Sequence, residues 1–379
     1  MTPNQGKERI PVIHIGMPKT ATKTLQWRLF NNHSEIYYLG RFDGHIFKGY
    51  RKYNFCLNRQ VCDLMQQIAY GNLYKLDFDA CRESLKEFFL KSEKRRAGFG
   101  KSPSLKALVR RTVYGDLNNP DFPACKELLA KIMEPAEKQN LLPVWSWESY
   151  STDTLEKRKV RARNLKEVFG EAKIIMTLRK PIALLESAYF QQLKRDNIGA
   201  RAKRGRPPYY RTIDQWMDEN FHGEVLPHLQ YPETIQIYAE QFGVENVHVF
   251  LFEELIADHD RFFRNISETM EIDAEEGLSL VKANVDNSRW TTHQIQTLKE
   301  ITSSAVRSLQ FRMADKKSRR ELIGLGKDGS PVVIGDKAHA PLSQEWQDRV
   351  YETTRAGNLW LEENCGLELR KNGYFNPGE

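Results

Sequence analysis

Apolar positions in this chain fall into two kinds of pattern. Four short runs, Ile10–Ile15, Leu141–Trp145, Lys173–Leu178 and Asn246–Phe252, are apolar or β-branched at nearly every position. Runs of that length without polar alternation predict strands buried on both faces. Between them, apolar residues recur at helical spacing, as in Cys62–Tyr70 and Ser84–Leu90. The same spacing over Ser343–Asn364 places Trp346, Val350, Tyr351, Leu359 and Leu361 on one stripe, with Gly366 as a stop. Strands alternating with helices predict a parallel sheet covered on both sides, a three-layer α/β fold resembling nucleotide kinases. Sheets of this kind bind ligands at the carboxyl ends of their strands. The stretch 42–140 is too long for one crossover and reads as a helical insertion, a cap, within a single domain spanning 1–379. Asn197–Arg211 is rich in Gly, Pro and Arg and is expected to form a mobile surface loop.

Composition narrows the class. Forty per cent hydrophobic residues and seven Trp exclude a disordered chain. The formal charge of +7 favours anionic partners: nucleotides, acidic glycans, nucleic acid or a membrane face. Charge by itself does not choose among them. The five cysteines, Cys56, Cys62, Cys81, Cys125 and Cys365, contain no CxxC pair and read as packing thiols of a reduced compartment. The N-terminal apolar run is broken by His14 and continues into Pro18-Lys19, unlike a signal peptide. No stretch approaches the ~18 consecutive apolar residues of a membrane span. The expected location is cytoplasmic.

The most informative segment is Ile13–Gln26. A strand ends near Gly16, a turn carries Pro18 and Lys19, and a helix follows with Leu25 and Leu29 on one face. The first N–H groups of a helix have no intrahelical acceptor, which suits an anion. Lys19, Thr20, Thr22, Lys23 and Thr24 add three hydroxyls and two ammonium groups within six residues. Pro18-Lys-Thr-Ala-Thr-Lys-Thr-Leu-Gln26 resembles the Pro-Lys-Thr-Gly-Thr-Thr-Ser-Leu-Gln loop of sulfotransferases that use 3′-phosphoadenosine-5′-phosphosulfate (PAPS). The resemblance implies that Lys19, Thr20, Ala21, Thr22, Lys23 and Thr24 bind the 5′-phosphosulfate. Two positions depart from the family pattern: Ala21 stands for its Gly, and Lys23 for its second Thr. Ala21 fits only if that position needs no positive φ.

The second segment is Ile174–Tyr189, where a strand runs into Arg179-Lys-Pro181 and a helix. Pro181 suits the first helical position. Arg-x-Pro followed by Ser-x-Tyr resembles the part of the same family that holds the 3′-phosphate. The resemblance thereby assigns that phosphate to Arg179, as a charge-assisted fork, and to Ser187, as a hydroxyl donor. Asn246–Leu255 and the closing helix with Asn364 and Gly366 are similar to the family's later elements. The implied reaction moves a sulfuryl group from PAPS to a hydroxyl or amine, with no metal. Lys19 would stabilise the leaving group. Glu148, just past the second buried strand in Val144-Trp-Ser-Trp-Glu148, is the candidate general base, with His33 and His45 as alternatives; His14 reads as core. The basic segments Lys94–Arg96, Arg110–Arg111 and Arg201–Arg211 suggest an anionic or carbohydrate acceptor, and nucleic acid is not expected as a partner. Two rivals are a P-loop nucleotide kinase and a non-catalytic module that binds PAP or a polyanion. Gly98-Phe-Gly-Lys-Ser102 ends like a Walker A loop, but that motif needs a glycine at position 95, which is Arg.

Overall fold

A computed structural model describes residues 9–41, 59–70, 120–199, 202, 205–282, 290–326, 332 and 335–378. The segments Ser84–Leu90, Lys94–Arg96, Gly98–Ser102 and Arg110–Arg111, together with His45 and part of Arg201–Arg211, lie outside the described residues.

The chain forms β1 (Val12–His14), α1 (Thr22–Thr24, running on as a π-helical stretch Leu25–Phe30), β2 (Ile36–Arg41), α2 (Arg59–Tyr70) and α3 (Phe122–Gln139). Then come β3 (Leu142–Ser146), α4 (Leu155–Phe169), β4 (Lys173–Leu178), α5 (Pro181–Asn197), α6 (Ile213–Asn220) and α7 (Tyr231–Phe242). Next are β5 (Val247–Leu251), α8 (Phe252–Ala257), α9 (His259–Met270) and α10 (Ala274–Val281). The chain closes with α11 (Thr292–Ser303), α12 (Ala305–Met313), α13 (Lys316–Leu322) and α14 (Gln344–Cys365). The strands pair in parallel in the order β2-β3-β1-β4-β5.

Alternate residues of each central strand enter opposite layers, as the two-residue period of a strand requires. Val12, Val144, Ile175 and Phe250 pack with Leu25, Leu29 and Phe30 and with Phe262, Phe263 and Ile266 of α9. Ile13, Trp145, Ile174 and Met176 face the other way, against Leu64, Ile132, Leu165, Leu184, Tyr238 and Val350. The four expected strands are therefore present; β1, β3 and β4 are buried on both faces, while β5, at the sheet edge, is half-buried over residues 247–249. The fifth, β2, is not among the expected strands: its apolar stretch Ile-Tyr-Tyr-Leu is only four residues long, half of it tyrosine, and gives way to Gly40 and Arg41. It is an edge strand paired only to β3, with a register shift between Tyr38 and Gly40. A strand with one neighbour and a bulge does not need continuous apolarity.

Within the stretch 42–140, the described helices α2 and α3 pack beside α4 against one face of the sheet. Buried Arg161 and Asn164 of α4 donate to the carbonyl oxygens of Ala69 (3.2 Å) and Ile68 (3.1 Å) at the end of α2. Arg158, also buried, donates to Asp153 O, Thr234 Oγ1 and Pro227 O, tying α4 to α7. These arginines satisfy carbonyls that burial would otherwise orphan. Helix α14 begins at N-cap Ser343, whose side chain accepts from Trp346 N–H, and ends at left-handed Gly366, φ 64°. The described base of the Asn197–Arg211 loop is pinned. Asn197 exchanges hydrogen bonds with the Tyr209 backbone, and Tyr189 Oη donates to Arg211 O (2.6 Å). Among the described cysteines, Cys125 and Cys365 are free thiols. No helix among the described residues is long and apolar enough to cross a membrane.

Candidate active site

Strand order decides where chemistry collects. β3 and β4 flank β1 on either side, so the segments leaving all three carboxyl ends meet above β1. Lys19 follows β1, Glu148 follows β3 and Arg179 follows β4. Crossovers that leave a central strand in opposite directions open a crevice at this point.

The turn after β1 is held from within. A Cβ on Gly16 would stand 2.4 Å from His14 Nε2, so the chain passes that ring only as glycine. His14 is fully buried, and burial pushes its pKa down to about 3, keeping it neutral. Its Nδ1 lies 2.7 Å from Ser146 Oγ, which also accepts from Gln26 Nε2 at 2.8 Å. Past Met17 the backbone turns left-handed twice, at Lys19 (φ 73°) and at Ala21 (φ 60°). The condition stated for Ala21 is therefore not met. The position that carries Gly in the resembled loop does need positive φ, and Ala21 bears the steric cost of about 1–2 kcal/mol. Alternating left-handed residues turn successive N–H groups to one side, a concavity suited to an anion. The N–H groups of residues 19 to 23 donate to no backbone carbonyl among the described residues, whereas Thr24 and Leu25 donate to Ala21 O. The hydroxyls of Thr20 and Thr22 turn inward, both donating to Met17 O (2.6 and 3.2 Å). They brace the turn in this conformation, and the outward donors are the backbone N–H groups and the lysines.

Positive charge crowds this concavity. Burial, and next the charge of Lys23, bring the Lys19 pKa down to about 8; Lys194 and Arg179 act in the same direction while Glu148 opposes them. Lys23, Lys194 and Arg179 together repel the Lys19 ammonium more than Glu148 attracts it, an imbalance that an incoming polyanion would relieve. Lys194 was not singled out in the sequence. It lies seven residues after Ser187 on α5, hence on the same helical face, and that spacing was the available signal. Ser187 itself is half-buried on the second turn of α5.

Arg179 bridges two of the three strand ends. Its Nη1 donates to Lys19 O (3.0 Å), its guanidinium lies 4.6 Å over the Phe252 ring, and its own carbonyl accepts from Tyr231 Oη (2.8 Å). Glu253 then joins β4 to the C-terminal segment: Oε1 accepts from Lys180 N–H and Oε2 from Tyr374 Oη, each at 3.0 Å. Glu148 opens a short 3₁₀ turn, Glu148–Tyr150, and is half-buried. Its surroundings are fixed on every side. Trp147 N–H donates to His14 O, and Ser151 Oγ donates to Gly16 O and to Glu148 O. Arg161 donates to Ser149 O (3.1 Å) and lies 5.0 Å over the Trp147 ring. His33, by contrast, is buried against α10: Nε2 lies 2.9 Å from Asp273 O, and Nδ1 accepts from Glu35 N–H. Nδ1 serves the turn into β2 and Nε2 the start of α10, which gives His33 a structural task.

Beside Lys180 opens a cavity of about 820 Å³ between the first turns of α5 and the C-terminal segment. Lys180, Arg370 and Lys371 stand on its wall, with Phe375 under the Arg370 guanidinium at 4.4 Å. Among the described residues, no group of three His, Cys, Asp or Glu is placed to hold a metal ion.

No family model matches the chain, and no curated protein matches it. Among solved structures, it is similar to a sulfotransferase from Alicyclobacillus acidocaldarius at 14% identity and a TM-score of 0.40, covering 82% of this chain and 99% of that one. It is also similar to the sulfotransferase domain of the Synechococcus PCC 7002 olefin synthase at 15% identity and a TM-score of 0.35, covering 85% of this chain and 96% of that one. A mouse sulfotransferase complexed with PAP matches at 14% identity and a TM-score of 0.28, covering 77% of this chain and 83% of that one.

Proposed function

We propose that this chain is a single-domain, cytoplasmic sulfotransferase that moves a sulfuryl group from PAPS to a hydroxyl or amine of an acceptor, giving PAP. The observation that carries the reading is the turn after β1. Among the described residues, the N–H groups of residues 19 to 23 have no backbone carbonyl acceptor, and the same turn carries Lys19, whose ammonium Lys23, Lys194 and Arg179 all repel. The motif resemblance at Pro18–Gln26 and Arg179–Ser187 names the anion that such a volume suits. Residues 19–24 are assigned the 5′-phosphosulfate, and Arg179 and Ser187 the 3′-phosphate.

PAPS supplies the activated sulfuryl group and, in PAP, the leaving group. The protein's part is positional and electrostatic. Glu148 takes the proton of the acceptor as its oxygen or nitrogen bonds to sulfur. The Lys19 ammonium meets the charge that develops on the bridging oxygen as the S–O bond breaks. The basic surface favours an anionic or carbohydrate acceptor. The test is transfer of label from ³⁵S-PAPS to a panel of glycans, phenols and amines, with PAP and ATP–Mg²⁺ compared as stabilising ligands. Labelled product is expected, with stabilisation by PAP. Stabilisation by ATP–Mg²⁺ and none by PAP would overturn the assignment.

A further inference from the structure

The segment Ala305–Leu322 takes no part in the site described above, yet it carries the least protected surface of the molecule. Of nine exposed large hydrophobic side chains among the described residues, four lie in it: Val306 (68% exposed), Leu309 (58%), Met313 (57%) and Leu322 (39%). Helix α12 is anchored to the body by Phe311, which is fully buried. At about 100° per residue, Val306, Leu309 and Met313 lie roughly 140–200° around the helix from Phe311, so they form a ridge pointing straight out. Arg312 flanks the ridge on one side; Arg307, about 40° around the helix from Phe311, lies toward the body and pairs with Glu300 at 2.7 Å. Helix α13 continues the pattern with exposed Lys316 and Lys317. Of the six Lys or Arg in the two helices, Arg319 is buried and Arg307 is paired with Glu300, which leaves Arg312, Lys316 and Lys317 as the fully exposed cations beside Asp315 and Glu321. The Gly-Pro-Arg loop is drawn to the same face: Gly205 N–H donates to Arg312 O (2.7 Å), and Arg206 O accepts from Arg319 Nη2 (3.1 Å). Arg206 itself is exposed.

We infer that the α12–α13 hairpin docks this protein on an anionic lipid surface. The ridge is convex and one helix wide, and cations border it. A fluid interface accepts such a ridge, while the long Arg and Lys stems run along apolar chains and keep their charges at lipid phosphates. The charge complementarity is with phosphate headgroups, and it makes binding sensitive to salt.

The test is co-sedimentation of the full chain with large vesicles of phosphatidylcholine, with and without about 30% phosphatidylglycerol. Binding is expected only with the anionic lipid and should fade as salt rises. The double variant Leu309→Glu/Met313→Glu should weaken partitioning by roughly tenfold or more. Lys316→Glu/Lys317→Glu should weaken it several-fold. All four positions are exposed, so unchanged thermal unfolding is expected and serves as the folding control. Equal pelleting with both vesicle types, or variants that pellet like the parent chain, would overturn the proposal. So would self-association in sedimentation velocity that the same variants disperse, since the ridge would then belong to a second copy.

Discussion

Lys19 offers a quantitative handle on the site, because its protonation and anion binding are linked. Burial and three neighbouring cations bring its pKa from 10.5 to about 8, a cost of about 3 kcal/mol for the charged form. The folded-state pKa lies below the unfolded one. The contribution of Lys19 to stability is therefore present above 10.5 and lost as pH falls through about 8. A polyanion in the concavity reverses the balance by favouring the ammonium. With the bound state protonated throughout, affinity for PAP follows the protonated fraction of the free protein: about nine-tenths at pH 7, half at pH 8 and one-tenth at pH 9. PAP should therefore bind about tenfold more weakly at pH 9 than at pH 7. At pH 8 it should take up about half a proton, measurable by calorimetry in buffers of different ionisation enthalpy. The phosphate monoester titrates near pH 6 and contributes little over this range. Lys19→Met should bind PAP more weakly and lose the pH dependence. A Lys19→Met variant with the same slope as the parent, or binding at pH 8 without proton uptake, would refute the electrostatic reasoning.

Ala21→Gly should stabilise the protein by about 1 kcal/mol, because glycine adopts the left-handed conformation that Ala21 occupies at a cost. A lower urea midpoint for the variant would count against that backbone geometry. Arg179→Ala should weaken PAP binding by about 1.5–3 kcal/mol, and adenosine-5′-phosphosulfate, which lacks the 3′-phosphate, should be affected far less. Equal losses for both ligands in calorimetry would remove the specific 3′-phosphate contact. Glu148→Gln should keep PAP affinity and fold while turnover falls on the order of 10²–10⁴-fold. Near-normal turnover in the labelled-PAPS assay would move the base elsewhere.

The reading of the chain succeeded where the structural cause is local. The central strands β1, β3 and β4 are mostly apolar because both faces are buried, and that burial is written into consecutive residues. The start of α14 at Ser343 and its stop at Gly366 are equally local, one a side-chain cap and the other a left-handed backbone. The donor-rich composition of Pro18–Gln26 and Arg179–Ser187 is local in the same way, since each segment draws its hydroxyls and cations from neighbouring positions. β2 was illegible because an edge strand is asked for less. The inward turn of the Thr20 and Thr22 hydroxyls was equally hidden, because Met17 O becomes their acceptor only once the loop has closed.

Tertiary structure decided the rest. Lys19, Glu148, Arg179 and Lys194 stand far apart in sequence, and only the order β3-β1-β4 brings the first three to one edge. The positive φ of Ala21, the depressed pKa of Lys19 and the clamp of Glu253 between Lys180 and Tyr374 all arise from contacts made across the fold. The sequence determined which side chains could meet an anion, because donor chemistry and strand burial belong to short segments. Which of those side chains do meet, and with what charge, depends on strand order and shared burial, and both exist only after distant segments have packed.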